Sequence, residues 1–206
     1  MDVSGLAPGP AAIIQAPEAQ YAVATPASCW LSNLRLSGKT DPLLLLNTAG
    51  SELVLDTVVI EEGDPGVAAL KVTADCTLRL RNCDIQAGGY ALRLAAGSAR
   101  LYDSRLCHDH AGAGAATEQA LLVESGTLLA ERCAIENTSP AGSAVKFSAN
   151  PAQARLLHCS LRKANGSYAV EAAVACPTAS VVGCALNASV HANVGVSVGN
   201  DVDASV

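Results

Sequence analysis

The chain has 206 residues, of which half are hydrophobic and only 3% are aromatic, and its net charge is −6. This length suits one sizeable domain and is too short for two comfortable ones, and no apolar run approaches the length of a transmembrane helix. The acidic balance comes without a basic cluster, which argues against nucleic acid or an anionic membrane as the main partner.

Residues 1–28 are rich in alanine, proline and glycine, with Ile13 and Ile14 as their strongly apolar pair. The segment has neither the positive start nor the long apolar stretch of a signal peptide. We therefore expect a protein made in a cytosol without a signal peptide, where thiols stay reduced. We expect residues 1–28 to cap the first coil of the fold that follows, or to dock as an arm on another subunit.

Residues 29–190 repeat a pattern of two short strands joined by a corner. In residues 78–85 (LRLRNCDI), apolar side chains at Leu78, Leu80, Cys83 and Ile85 alternate with polar ones, except at the two-residue corner. Six further copies share this pattern: residues 29–36 (CWLSNLRL), 53–60 (LVLDTVVI), 99–106 (ARLYDSRL), 128–135 (LLAERCAI), 154–161 (ARLLHCSL) and 179–186 (ASVVGCAL). Length varies only between the copies.

Each repeat also carries a third apolar run, so it contains three short strands. These runs begin near residues 43, 67, 90, 119, 143 and 168. A unit of about 25 residues with three strands cannot bury its own apolar face and must stack on its neighbours. The sequence therefore predicts an all-β fold, a right-handed parallel β-helix of about seven coils over residues 29–190.

The corner of each copy falls on residues that tolerate a left-handed backbone, mainly Asn, Asp, His and Gly. The corner positions are Asn33, Thr57, Asn82, Asp103, Arg132, His158 and Gly183. With the copies aligned in this way, we expect two inward columns. One contains Leu80, Leu101, Leu156 and Val181, and the other contains Cys83, Cys133, Cys159 and Cys184.

The cysteine column favours reduced thiols packed as small hydrophobic side chains. Adjacent coils lie about 4.8 Å apart, so Cys133, Cys159 and Cys184 are close enough to pair in principle. Parallel stacking nevertheless aims their Cβ atoms alike rather than at each other. No C-x-x-C pair suggests zinc.

This coil pattern resembles the pectin-lyase-like β-helix superfamily, which includes polysaccharide lyases, glycosidases, phage tailspikes and other virion β-helices. The resemblance covers roughly residues 20–190 and implies the fold, whereas a fold alone assigns no chemistry. The short, capped form is similar to phage head-decoration and fibre proteins.

Residues 105–115 (RLCHDHAGAGA) concentrate metal-ligating side chains. Because Leu106 completes the second strand of its copy, we expect residues 107–118 to form the longest loop, at the solvent side or at a subunit seam. His108 and His110 could share a metal with Asp109 or Cys107. However, side chains along an extended chain alternate in direction and no second ligand cluster is evident, so we expect no bound metal.

The outward columns bear on catalysis, because a glycosidase needs two carboxylates about 5 to 10 Å apart. One column reads Asp56, Arg81, Tyr102 and Glu131, and another reads Glu61, Gln86, Cys107 and Glu136. Neither pairs acids on adjacent coils, and Asp84 beside Arg105 predicts a cross-strand ion pair. Lys71, Arg93 and Lys146 form a loose basic stripe that we expect to be a solvated face. Loop acids at Glu61, Glu62 and Asp64 could still converge, which leaves a catalytic alternative open.

Residues 191–206 alternate apolar and small polar residues, so we expect one further strand and then a tail. We assign no catalytic, cofactor-binding or metal-binding residue. We expect a non-catalytic structural protein of a larger particle, such as a phage virion decoration, cement or fibre protein, made in the host cytoplasm. Its expected partners are other protein subunits, contacted through the N-terminal arm and C-terminal tail in a homo-oligomer, with no nucleic acid and no membrane. The alternatives are a carbohydrate-binding or carbohydrate-degrading β-helix and a cytoplasmic self-assembling scaffold.

Overall fold

The chain folds as a parallel β-solenoid of about six turns. The computed structural model describes residues 2–4, 12–15, 23–24, 28–38, 42–62, 66–109, 119–164, 168–192 and 197–198. These residues form 23 strands, numbered in chain order, and no helix is found among them. The expected all-β parallel solenoid is confirmed, and its count of about six turns is close to the expected seven coils.

The strands lie on three faces of the solenoid, and every pairing within a face is parallel. Face 1 contains β1 (Asp2–Ser4), the first halves of β4 (Cys29–Gly38) and β6 (Glu52–Glu62), β8 (Thr77–Arg81), β11 (Ser98–Tyr102), β14 (Thr127–Glu131), β17 (Gln153–Leu157), β20 (Ala179–Val182) and β23 (Ser197–Val198). Face 2 contains β2 (Ala12–Gln15), the second halves of β4 and β6, β9 (Asp84–Ala87), β12 (Arg105–His108), β15 (Ala134–Asn137), β18 (Ser160–Lys163) and β21 (Ala185–Leu186). Face 3 contains β3 (Val23–Ala24), β5 (Leu44–Leu46), β7 (Ala68–Val72), β10 (Tyr90–Leu94), β13 (Leu121–Val123), β16 (Val145–Phe147), β19 (Tyr168–Ala172) and β22 (Ser189–Ala192).

The corner between faces 1 and 2 has a left-handed backbone in every described coil, as predicted. The φ angles are 51° at Asn33, 57° at Thr57, 51° at Asn82, 50° at Asp103, 53° at Arg132, 52° at His158 and 61° at Gly183. Because β4 and β6 run through this corner without a break, faces 1 and 2 form one 15-stranded sheet, and face 3 is a separate 8-stranded sheet.

The core consists of inward columns that run parallel to the solenoid axis. Leu80, Leu101, Leu156 and Val181 stack in register through Ala130, which confirms the predicted leucine column. All five side chains are buried. The cysteine column is likewise buried at Cys83, Cys133, Cys159 and Cys184. Small aliphatic and thiol side chains therefore fill the interior of this narrow solenoid.

Paired strands extend beyond residues 29–190 at both ends. At the start of the chain, β1 and β2 pair with β4, and β3 pairs with β5. At the other end, β22 pairs with β19 and β23 pairs with β20. The repeated motif does not reveal β1 to β3, because they are only two to four residues long. The alternation in residues 191–206 predicts one further strand, and β23 lies in that stretch. Residues 199–206 lie outside the described part of the chain.

Candidate functional site

Ion pairs link neighbouring coils along the outer wall of face 2. The predicted pair of Asp84 and Arg105 is present, with 3.2 Å between Arg105 Nη1 and Asp84 Oδ1. Arg105 also reaches the next coil, where its Nη2 atom lies 3.0 Å from Glu136 Oε2. One guanidinium therefore joins three consecutive coils.

Several arginines reach diagonally to a glutamate two residues beyond their register partner. Arg105 is opposite Ala134 but binds Glu136. In the same way, Arg35 is opposite Val59 and binds both carboxylate oxygens of Glu61. Arg93 is opposite Leu122 and binds Glu124 at 2.8 and 3.0 Å. Long side chains span this diagonal distance across strands.

Two of the three cations in the basic stripe on face 3 are paired with acids of the chain. Arg93 is bound by Glu124, and Lys146 Nζ lies 3.0 Å from Glu171 Oε1 on the following coil. Lys71 is opposite Arg93 in the register. The expected solvated face is thus a row of half-buried cations, two of which are ion-paired.

Face 1 carries both ion-paired and unpaired arginines. Arg79 pairs with Glu52 at 2.7 Å, and Arg132 pairs with Asp103 at 2.7 Å and also with Glu131. The hydrogen bonds from Arg132 hold the pKa of Asp103 below its ordinary value. The predicted outward column of Asp56, Arg81, Tyr102 and Glu131 is confirmed by the strand register.

The segment predicted to be a loop from residue 107 begins two residues later in the structure. Cys107 and His108 continue β12, and both side chains are buried. Cys107 lies in the outward column between Gln86 and Glu136, as expected from the sequence. Burial raises the pKa of its thiol to about 11. His110 and residues 111–118 lie outside the described residues.

An inward polar column lies beneath the turns that join faces 2 and 3. Its register positions are Glu62, Ala87, His108, Asn137 and Lys163. The four polar members are buried. Patterning by hydrophobicity missed this column, because inward polar residues at the end of a strand look like the start of a loop.

Asn137 and Lys163 organise the turn that follows β15. The Asn137 amide donates to the carbonyl of Ser143 at 2.8 Å, and its oxygen accepts from the Ser139 N–H at 2.9 Å. The Lys163 ammonium donates to the Ser139 carbonyl. Burial lowers the pKa of Lys163. These two side chains therefore fix the turn after β15 with specific polar bonds.

Asp109 ties the base of the 110–118 segment to the coils on either side. Its carboxylate accepts from Gln86 Nε2 at 2.9 Å and from Thr138 Oγ1 at 2.9 Å. These bonds hold Asp109 to the two neighbouring coils. Among the residues that the structure describes, no group of three or more His, Cys, Asp or Glu side chains is arranged to hold a metal ion.

Of the acids that the sequence suggested could converge, Glu61 and Glu62 lie together at the end of β6. Glu61, Glu62 and Asp109 line one open cleft of about 290 Å³ together with Gln86. Glu61 is bound by Arg35 and Glu62 is buried, so the two carboxylates differ sharply in their surroundings. Asp64 lies outside the described residues. The three acids in the cleft therefore differ in their surroundings. Glu61 is ion-paired, Glu62 is buried, and Asp109 accepts hydrogen bonds from Gln86 and Thr138.

The thiols are all reduced in this structure, which agrees with the prediction of free cysteines in the core. Eight free cysteines are present, and seven of them are buried. Burial raises the pKa of Cys83, and contacts with the neighbouring thiols of Cys133 and Cys184 raise the pKa of Cys159. The hydrogen bond with Cys159 lowers the pKa of Cys133, and it lowers the pKa of Cys184 to about 7. The raised pKa values of Cys83 and Cys159 favour the protonated, less reactive thiol near neutral pH.

Apolar side chains share the outer surface of face 1 with the arginines. Trp30 is 51% exposed and Val182 is 36% exposed, and Leu129 and Leu157 are partly exposed. Exposed aromatic, aliphatic and arginine side chains on one surface are typical of protein interfaces. Face 1 is therefore the strongest candidate for a binding surface.

Comparison of the chain with protein-family models, with curated proteins and with solved structures finds no significant match. Within the described part of the chain, no helix has the length and apolar character needed to cross a membrane.

Proposed function

We propose that this protein is a non-catalytic structural component of a larger particle. The observation that supports this proposal is that eight outward carboxylates are engaged in ion pairs, seven of them with a cation on a neighbouring coil. The ion-paired acids are Glu52, Glu61, Asp84, Asp103, Glu124, Glu131, Glu136 and Glu171. A carboxylate that is already bound by a cation of the chain is not available to act as general acid or base on a substrate.

More specifically, we propose a phage virion component such as a decoration, cement or fibre protein. The likeness of the coil pattern to virion β-helices supports this assignment by analogy. The two ends of the solenoid, residues 1–28 and 191–206, are proposed to contact other subunits in a symmetric oligomer. Short parallel strands at both ends support this, because an open β edge favours a covering partner.

Sedimentation of a tagged chain expressed in its native source tests the proposal. We expect the chain to travel with a large particle and to appear at regular positions on it by electron microscopy. A glycan panel is assayed in parallel for reducing ends and for unsaturated products. A chain that stays in the slow fraction contradicts the proposal, and so does turnover of any glycan that is lost in Glu61→Gln.

A further inference from the structure

One outward column of face 1 places an apolar side chain between two arginines. Arg100 is opposite Leu129 in the pairing of β11 with β14, and Leu129 is opposite Arg155 in the pairing of β14 with β17. Both arginines are exposed and Leu129 is partly exposed. Since adjacent coils lie about 4.8 Å apart, the two arginines are about 9.6 Å apart along the solenoid axis.

These two arginines differ from their ion-paired counterparts. Arg35, Arg93, Arg105 and Arg132 each bind a carboxylate of a neighbouring coil. By contrast, no described carboxylate lies within ion-pair distance of Arg100 or Arg155, and the group beside Arg155 is the neutral amide of Gln153. Arg100 is moreover directly opposite Arg79, and like charges facing each other destabilise a sheet. The column therefore presents positive charge that the described residues do not neutralise.

Apolar side chains extend the contact area beside this column. Leu157 and Tyr102 lie in the next outward column, two positions along β17 from Arg155 and along β11 from Arg100. Val182 continues that column on β20. Together with Leu129, they give the surface the mixture of aliphatic, aromatic and arginine side chains found at the centres of protein interfaces.

A protein partner fits this surface better than a polyanion does. Glu131 and Asp103 share the guanidinium of Arg132, which leaves a net negative charge beside this column. That charge would repel a chain with a charge on every unit. A partner protein can instead place its carboxylates only opposite Arg100 and Arg155. A second copy with its column aligned on this one is disfavoured, because a two-fold axis parallel or perpendicular to the column at Leu129 brings Arg100 opposite Arg100 or Arg155 of the other copy.

The spacing along the column matches a helix. In an α-helix, residues i and i+7 lie on one face about 10.5 Å apart, and residues i+3 and i+4 lie between them. In a strand, residues i and i+2 are about 6.8 Å apart, which is too short for two arginines separated by about 9.6 Å. The helix can therefore place one carboxylate on each arginine and an apolar side chain on Leu129.

We propose that the column of Arg100, Leu129 and Arg155 is a docking site for an acidic amphipathic helix of a different protein. The helix presents carboxylates at positions i and i+7 that flank apolar side chains at i+3 and i+4. Each guanidinium binds one carboxylate, and Leu129 packs on the apolar residues between them. The idea of a protein partner rests on the proposed structural function, whereas the surface itself can be tested on the isolated protein.

Fluorescence anisotropy of a labelled helical peptide tests the proposal. The peptide carries Glu at i and i+7 and Leu at i+3 and i+4, and a matched peptide carries Gln in place of Glu. We expect the Glu peptide to bind the full chain, with affinity that falls as salt is added. The Arg100→Ala, Arg155→Ala double variant should bind it roughly tenfold more weakly. Arg162→Ala is the matched control, since this arginine is 65% exposed on face 2 and makes only a 3.9 Å ion pair.

Four results overturn the proposal, and each is distinguishable from failure of the structural function. These are equal binding of the Glu and Gln peptides, unchanged affinity in the double variant, no binding of either peptide, and tighter binding of heparin or single-stranded DNA at the same column. A chain that joins a particle but fails these tests keeps its structural function and loses this docking site. A chain that passes these tests but stays out of any particle keeps the site and loses the function.

Discussion

At the scale of single residues, the corner between faces 1 and 2 is the most demanding position in the fold. Its backbone is left-handed, a conformation that costs most L-residues roughly 1 to 2 kcal/mol. Asn and Asp tolerate it, and Gly adopts it freely. Thr57 has a φ of 57° despite its branched Cβ atom, so it is the strained member of the column.

Replacing Thr57 with asparagine should stabilise the protein by about 0.5 to 1 kcal/mol, because Asn accepts the left-handed backbone more readily. The side chain of Thr57 is exposed and makes a hydrogen bond only with Asp56, so little else changes. The reverse control is Asn82→Ala at the equivalent corner, which should cost about 1 kcal/mol. Urea unfolding measures both changes, and a destabilised Thr57→Asn variant would contradict the strained geometry.

Residue type alone predicts only part of the corner column. Asn33, Asn82 and Asp103 are of residue types that favour a left-handed backbone, whereas Thr57 and Arg132 are not. These two positions were predicted only because the repeat aligns them with the others. The ion pairs follow the same logic: Asp84 with Arg105 is visible in the register, but the diagonal reach from Arg105 to Glu136 depends on side-chain length.

At the scale of elements, the stacking of turns between faces 3 and 1 requires glycine where one coil touches the next. A Cβ atom on Gly126 would lie 2.3 Å from the carbonyl oxygen of Gly97, and its φ is 84°. Gly50 has a similar φ of 76°, but nothing lies within 4 Å of the place where its Cβ atom would be. These two glycines separate the effect of backbone conformation from the effect of coil contact.

Gly126→Ala should therefore destabilise the protein more than Gly50→Ala. The Gly50 change costs about 1 kcal/mol for the left-handed backbone alone. The Gly126 change adds about 1 to 3 kcal/mol, because the turn must move away from Gly97. The midpoint of thermal unfolding reports both changes, and equal midpoints for the two variants would show that the turns are not in close contact.

The alternation of apolar and polar residues fails to predict where β12 ends. Cys107 and His108 look like a polar exit from the strand, yet His108 is fully buried in line with Asn137 and Lys163. A column of inward polar groups depends on hydrogen bonds made across coils, and no pattern within one strand contains that information. The candidate surface on face 1 was missed for a related reason, since its three members are contributed by three different repeats.

At the scale of the whole molecule, the three faces distribute charge unequally. Faces 2 and 3 pair most of their cations with acids on adjacent coils, and face 1 keeps Arg100 and Arg155 without a carboxylate from the described chain. Ion pairs on an exposed wall contribute little stability, about 0 to 1 kcal/mol each. Their arrangement is therefore more informative about which surface meets a partner than about what keeps the solenoid folded.

The ends of the solenoid set its tendency to associate, because each terminal coil has an open edge of backbone groups. Strands β1 and β2 pair with β4, and β3 pairs with β5, so these three short strands cover the edge of the first long coil. Deleting residues 1–24 should leave the remaining coils folded, since each keeps a neighbour, and should cause association that increases with protein concentration. Sedimentation velocity measures this, with the full chain as reference. Adding Ser32→Lys to the truncated chain places a charge on the outward side of the exposed edge and should reverse this additional association. A truncated chain that sediments like the full chain at every concentration would mean that this edge does not drive association.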